Sequence, residues 1–196
     1  MMDTPRRGLR SLRSVMLVSM LGGLLVVPSV SFRQPAVSVV MAAPQNIIQD
    51  GDIVVETFSN ATATLESRHG SVTINQKIDD HSNLTIRAAK NVTIGQKIDQ
   101  HSSADIVAGG SVDIGQKIDQ HSVARIVAQT GNISIAQKVD QHSTAFLSAP
   151  AGNINIGQGI DQHSIVHYLA KGAQLGTFSS GGTADTNMNA PVDPNQ

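Results

Sequence analysis

The heptapeptide Gln-Lys-Ile-Asp-Gln-His-Ser at residues 96–102 occurs five times, in near-identical form, in this chain of 196 residues, at intervals of 20 or 21 residues. Three copies carry one substitution each: Asp80 replaces the second Gln, Val139 replaces Ile and Gly159 replaces Lys. The copies are Gln76–Ser82, Gln96–Ser102, Gln116–Ser122, Gln137–Ser143 and Gln158–Ser164. A fixed period of this length is typical of repeat proteins, in which each unit buries its apolar face against its neighbours.

Apolar residues on either side of the heptapeptide alternate with polar ones. Around the copy at 96–102, Val92 and Ile94 come before it, and Ala104, Ile106 and Ala108 come after it. Alternation with a period of two and an excess of β-branched residues predict short strands, two or three in each repeat. The sequence therefore predicts an all-β fold, a single-stranded parallel β-helix (β-solenoid), with about five full coils of 20–21 residues plus atypical capping coils.

The chain divides into four predicted segments. Residues 1–42 form a signal peptide, in which four arginines precede the apolar stretch Val15–Val27. Residues 43–50 form a linker, residues 51–178 the solenoid, and residues 179–196 a disordered tail rich in Gly, Ser, Asn and Pro. The expected location is therefore extracellular or at the cell surface. An uncleaved N-terminal anchor is the alternative; no membrane span is expected in the mature chain.

Composition narrows the class of partner. Removing residues 1–42 takes five arginines and one aspartate from totals of 14 basic and 15 acidic residues, which leaves 9 and 14 and a formal charge of −5. Nucleic-acid binding depends on a basic surface, so a nucleic-acid partner is not expected. Cysteine is absent, so the mature protein has neither disulfides nor a bacterial lipid anchor.

Two charged columns run through the repeats and are predicted to face outward side by side. A column of opposite charges beside each like-charged column offsets the repulsion between coils, and each exposed pair contributes about 0.2–1 kcal/mol. A surface for a charged polymer is the alternative. The columns are Lys77, Lys97, Lys117 and Lys138, and Asp79, Asp99, Asp119, Asp140 and Asp161.

One histidine per repeat stands two residues after an Asp and just before a Ser. A turn hydrogen bond to Asp or Ser is the simpler interpretation of this position. Zn²⁺ held between imidazoles of neighbouring coils is the alternative, although the ligand spacing within one coil matches no zinc motif. No cofactor is expected. This histidine row consists of His81, His101, His121, His142 and His163.

The strand after each His has outward positions that differ from repeat to repeat. Exposed apolar strips often mark a partner surface. Coverage by the tail or the linker is the alternative. The candidate interaction face consists of Arg87, Val107, Arg125, Val127, Phe146 and Leu169.

An enzymatic role is not expected. The chain has no Trp, one Tyr and four Phe, so the aromatic platforms of a polysaccharide enzyme are lacking. No Ser-His-Asp arrangement stands out against five repeated copies, because one active site does not need five.

The segments Gly110–Ile114, Gly131–Ile135 and Gly152–Ile156 resemble the Gly-Asn-hydrophobic-X-hydrophobic repeats of filamentous-haemagglutinin-type adhesins. That resemblance implies a right-handed parallel β-helix and a secreted, surface-displayed binder. Residues 124–132 are more weakly similar to curlin repeats, whose subunits stack into extracellular amyloid. The heptapeptide belongs to neither pattern, and no functional residue carries over.

Three functions follow as hypotheses. The first is a secreted or cell-surface, non-enzymatic solenoid with a structural or adhesive role towards a surface or matrix partner. The second is a self-assembling, amyloid-like matrix subunit, a homo-oligomer joined through the solenoid ends. The third is a metal- or pH-responsive module based on the histidine row.

Overall fold

The computed structural model describes residues 45–189 and the two-residue strand Val40–Met41. The first strands are β1 (Val40–Met41), β2 (Gln45–Gln49), β3 (Ile53–Val55), β4 (Thr57–Ser59), β5 (Thr62–Ser67), β6 (Val72–Ile74), β7 (Ile78–Asp79), β8 (Asn83–Ala88) and β9 (Val92–Ile94). They are followed by β10 (Ser103–Ala108), β11 (Val112–Ile114), β12 (Val123–Ala128), β13 (Ile133–Ile135), β14 (Lys138–Val139), β15 (Thr144–Ile156), β16 (Gly159–Ile160), β17 (Ile165–Gln174), β18 (Thr177–Phe178) and β19 (Thr183–Asp185).

Each coil has three sides, and every pairing between coils is parallel. The long side contains the six-residue strands, such as β8, β10 and β12. The middle side contains the three-residue strands, such as β9, β11 and β13. The short side follows the first half of each heptapeptide and is reduced to single bridges at Ile98 and Ile118. The predicted β-solenoid is confirmed, and it comprises about seven stacked coils.

Stacking is in register, so each residue faces its counterpart in the next repeat. Ile106 lies between Ile86 and Ile126, and all three are 0% exposed. Ile98 lies between Ile78 and Ile118 in the same way. Full burial of each such side chain contributes roughly 1.5–3 kcal/mol, and one continuous core therefore runs along the axis.

The solenoid is longer at both ends than the predicted 51–178. Gln45–Gln49, assigned to a linker, pairs with β5 and sets Ile47 opposite Leu65. Thr183–Asp185, assigned to a disordered tail, pairs with β17. A polar segment needs little apolar surface of its own when an existing strand edge offers hydrogen bonds. Residues 190–196 and the predicted signal peptide, except for the two residues of β1, lie outside the described residues.

The second half of each heptapeptide forms a tight turn of the type I′ kind. Both central residues have positive φ, 46–53° at the first and 58–61° at the second. In the second copy these are Gln100 and His101, and the Ser102 amide donates to the Asp99 carbonyl at 3.3 Å. The His101 amide donates to the carbonyl of Gln120 in the next coil at 2.9 Å, as the others do along the stack.

A degenerate sixth copy of this turn closes the described chain. Ser180 and Gly181 take the two central positions, with φ of 46° and 81°. The Ser180 carbonyl accepts a hydrogen bond from the His163 amide at 2.9 Å, and Thr177 pairs with Gly159. A Cβ on Gly159 would lie 1.8 Å from the Thr177 carbonyl oxygen, so the glycine that replaces Lys makes room for this last coil.

Four of the five aspartates of the heptapeptide are buried, so the prediction that the aspartate column faces outward is wrong for these four. Asp99 and Asp119 are 0% exposed, and Asp79 and Asp140 are at most 5% exposed. The short side has only one or two paired residues before the chain turns, so Ile98 and Asp99 both face inward and the alternation ends there.

Each buried carboxylate contacts the ammonium group of the lysine two residues before it. Lys77, Lys97 and Lys117 each contact their own Asp, with lysine side chains 22–32% exposed. Lys138 contacts both Asp140, at 2.9 Å, and Asp161, at 3.3 Å. These contacts raise the pKa of Lys77 and Lys138, chiefly through the hydrogen bonds to Asp79 and Asp140.

We expect Lys117→Ala to lower the free energy of unfolding by about 1–3 kcal/mol, because it leaves the carboxylate of Asp119 buried and unpaired. Partial exposure of the lysine reduces the loss below that of a fully buried pair. The matched control is Lys90→Ala on an exposed corner, with an expected change below about 0.5 kcal/mol. Urea denaturation measures both, and equal losses would contradict the burial of Asp119.

Candidate functional site

The histidine row is a stack of five imidazoles along one edge of the solenoid. Ring centroids of successive members lie 5.1–5.3 Å apart, and the planes differ by 4–19°. The rings stack because the positive φ at each histidine recurs in every coil and points every Cβ the same way. The row is therefore straight and follows the axis.

The imidazoles have few side-chain partners. His81 lies 3.4 Å (Nδ1 to Oδ1) from Asp80, the residue that replaces Gln in the first copy. His163 lies over Gly181, where an added Cβ would approach its Nδ1 to 2.5 Å. His81, His101 and His163 are exposed, and His121 and His142 are half-buried by their neighbours in the row. The predicted turn is confirmed in position, but its hydrogen bonds are made by the backbone and by Ser82 and its equivalents.

The rings of the histidine row do not converge on a common point. Their planes are nearly parallel, and the nitrogen lone pairs lie in those planes, so the lone pairs of neighbouring rings do not point at one another. In a zinc site each imidazole nitrogen lies about 2.0–2.1 Å from the metal. Two nitrogens bound to one zinc ion are therefore closer together than the 5.1 Å that separates the centroids of neighbouring rings here. Across residues 45–189, no three His, Cys, Asp or Glu side chains come together as a group that could hold a metal ion.

The pKa of His121 lies below its ordinary value. Burial is the largest cause, and the positive charges of His101 and His142, when protonated, add to it. His121, at the centre of the row, therefore resists protonation.

The candidate interaction face lies on the long side, where its members occupy two outward columns. Arg87 donates a hydrogen bond at 2.7 Å to the carboxylate of Asp105, which lies diagonally opposite on the neighbouring coil. Val107 and Val127 are half-buried, one above the other. Arg125 is exposed, and Leu169 is 51% exposed.

Phe146 was expected to be exposed, and this prediction is wrong, because the residue is only 2% exposed. The guanidinium carbon of Arg125 lies 4.1 Å from the ring centroid on one side, and the His167 ring lies 4.9 Å away on the other. An outward ring in a stacked coil is covered by planar groups above and below it. Cation–π contact and ring stacking both favour this order.

The same column continues into the last described coil. His167 is 5% exposed, and its Nδ1 lies 2.6 Å from a carboxylate oxygen of Asp185. That hydrogen bond lowers the pKa of Asp185. Arg125, Phe146, His167 and Asp185 thus form one continuous ladder, which holds β19 on the solenoid.

His167 and Asp185 were not predicted as site residues. The segment Thr177-Phe178-Ser179-Ser180-Gly181-Gly182 occupies the last six positions of a heptapeptide without sharing its residues, so its register could have been found by aligning it with the other copies. Once that copy is aligned, Asp185 falls opposite His167, four residues after the final turn.

We compared the chain with protein-family models, curated proteins and solved structures. None matches it. Within the part of the chain that is described, no helix is long and apolar enough to cross a membrane.

We expect stability to fall as the pH drops below about 6.5, the ordinary pKa of histidine, because the unfolded chain then binds a proton that His121 resists in the folded protein. The carboxylate of Asp161, with a pKa lowered to about 2, contributes its effect only below about 3.8. Urea denaturation at about pH 7.5 and about pH 5.5 therefore reports on histidine.

The matched variant replaces His101, His121 and His142 with Asn, which tolerates positive φ. It should show a smaller loss of stability between the two pH values than the parent protein. An equal loss would place the pH dependence outside the histidine row.

Proposed function

We propose that this protein is a secreted or cell-surface β-solenoid that acts as a non-enzymatic binding or structural module. Its core repeats the same residues, so the core serves the fold. The outward positions of the long strands differ from coil to coil. This contrast is the observation that supports binding, because a purely structural repeat has no need of a varied face.

The character of that face favours a macromolecular partner over a small molecule. Its members lie on a sheet surface, not in a deep cleft, and combine exposed Arg125 and Leu169 with half-buried Val107 and Val127. Apolar and arginine side chains on one surface are typical of protein interfaces. The resemblance of Gly131–Ile135 and its equivalents to adhesin repeats supports the same role.

The first test asks where the protein is and which side it uses. In the cells that produce it, we expect antibody to label intact cells or the medium, and detection only in the cytosol would contradict the proposal. Adhesion of the purified protein to the surface of these cells at about pH 7.5 should fall about tenfold in the variant Arg125→Gln/Leu169→Gln. The control is Asp113→Asn/Asn155→Asp on the middle side, with no expected change. Equal adhesion of both variants would remove the candidate interaction face from the proposal.

Self-assembly is a second candidate, and the C-terminal end of the solenoid favours it. Phe178 pairs with Ile160 and continues the Ile column of the core, yet it is 51% exposed. Within the described residues, β18 and β19 each pair on one side only. An apolar edge with free hydrogen-bonding groups can accept another strand.

We expect the intact protein to stay monomeric or form small oligomers at neutral pH, because its last coil differs from the others. Removal of Gly172–Gln196 should uncover Ile160 and Val166 and start fibre growth. Thioflavin fluorescence and negative-stain microscopy measure both. The same truncation with Ile160→Glu is the control and should stay soluble. Ready fibre formation by the intact protein would favour the matrix-subunit function instead.

A further inference from the structure

The histidine row costs the fold conformational energy that its turn does not require. Left-handed φ at a residue with a Cβ costs roughly 1–2 kcal/mol, and although Asn, Asp and His are found there more often than other residues, only Gly adopts it without that cost. In the last turn, Gly181 takes the position that histidine has in the other turns. The turn before the first heptapeptide has one residue with positive φ, Asn60. Five successive Gln-His pairs instead keep imidazoles where glycine would be easier to place. Backbone strain of this kind, repeated at one edge, indicates a function.

The positive charge of the histidine row depends on pH, and its members are evenly spaced. Imidazole, with an ordinary pKa near 6.5, is largely uncharged at neutral pH and gains a positive charge in mild acid. Two such charges about 5 Å apart repel by roughly 0.8 kcal/mol even at the dielectric constant of water. A bound chain of negative charges with a similar spacing would remove this repulsion and stabilise the protonated row.

The charged groups around the row leave it accessible to such a ligand. Asp80 lies beside His81 and already offers it a carboxylate. The aspartates that begin each turn are buried or, for Asp161, half-buried, and lysine ammonium groups balance them. The residues that follow the five His-Ser pairs carry no charge; they are Asn83, Ser103, Val123, Thr144 and Ile165. The four histidines from His101 to His163 are therefore the open part of the row.

We propose that the histidine row binds a linear acidic polysaccharide with one carboxylate on each sugar, and that it does so only when its imidazoles are protonated. This inference rests on the proposed function, because such polymers are met outside the cell. Carboxylates have ordinary pKa values near 4 and imidazoles near 6.5, so a carboxylate polymer and an imidazole carry opposite charges at about pH 5. Duplex DNA has one charge per about 3.4 Å of helix axis on each strand, an axial spacing closer than the 5.1–5.3 Å steps of the row.

The experiment measures binding of the purified protein to immobilised alginate at constant ionic strength, with neutral dextran and duplex DNA as comparison surfaces. Alginate binding should be about tenfold or more tighter at about pH 5 than at about pH 7.5, and should weaken with added salt. Dextran should not bind at either pH. Equal alginate binding at the two pH values overturns the proposal.

Two variants locate the site. His101→Asn/His121→Asn/His142→Asn keeps residues that tolerate positive φ and should lose about tenfold in alginate affinity at about pH 5. Gln100→Asn/Gln120→Asn/Gln141→Asn changes the adjacent turn position and should bind like the parent protein. Circular dichroism at the same pH establishes that both are folded, and His121→Asn alone serves if the triple variant is not.

Unchanged binding by the histidine variant overturns the proposal, and DNA binding as tight as alginate binding overturns the ligand assignment. The adhesion test of the candidate interaction face is made at about pH 7.5, above the ordinary pKa of histidine, where the polysaccharide proposal expects little binding. Failure of the polysaccharide proposal is therefore distinguishable from failure of the proposed function.

Discussion

Hydrogen bonds between each coil and the next, made in register over 20 or 21 residues, are the constraint on which the other features depend. Because every residue lies over its own counterpart, each choice of side chain is repeated up the axis. Isoleucine on isoleucine gives a continuous core. Histidine on histidine gives a stack of rings 5.1–5.3 Å apart. The same register that builds the core therefore also sets the spacing of the groups on the surface.

The buried aspartates show how the turn and the core compete. The turn after Asp99 forces two consecutive side chains inward, and the second of them is charged. Lysine two residues earlier compensates for it from the half-exposed edge. One oxygen in each of Asp79 and Asp99 has no hydrogen-bond partner among the described residues. Buried ion pairs of this kind seldom add net stability, but they are costly to break, which ties Lys and Asp together in the repeat.

Most of the fold was predictable from the sequence, because a period of 20–21 residues and alternation of two leave one architecture. The candidate site was harder to predict from the sequence. Asp99 was misplaced because alternation holds only within a strand, and the short side is almost all turn. Phe146 was misplaced because its cover comes from Arg125 and His167, which are 21 residues away in either direction. Capping coils were predicted, but the outermost strands, Gln45–Gln49 and Thr183–Asp185, were missed because their pairing depends on a neighbouring edge and not on their own apolar residues.

The direction of the hydrogen bonds has a mechanical consequence. In a solenoid they run along the axis, so tension applied between the two ends opens them in sequence instead of shearing them together. β19 is held by three residue pairs and by the contact of His167 with Asp185. Interior coils add a six-residue strand, a three-residue strand and a full turn. A pulled molecule would peel from this end first and then resist in equal steps, one repeat at a time, so that it lengthens gradually under load.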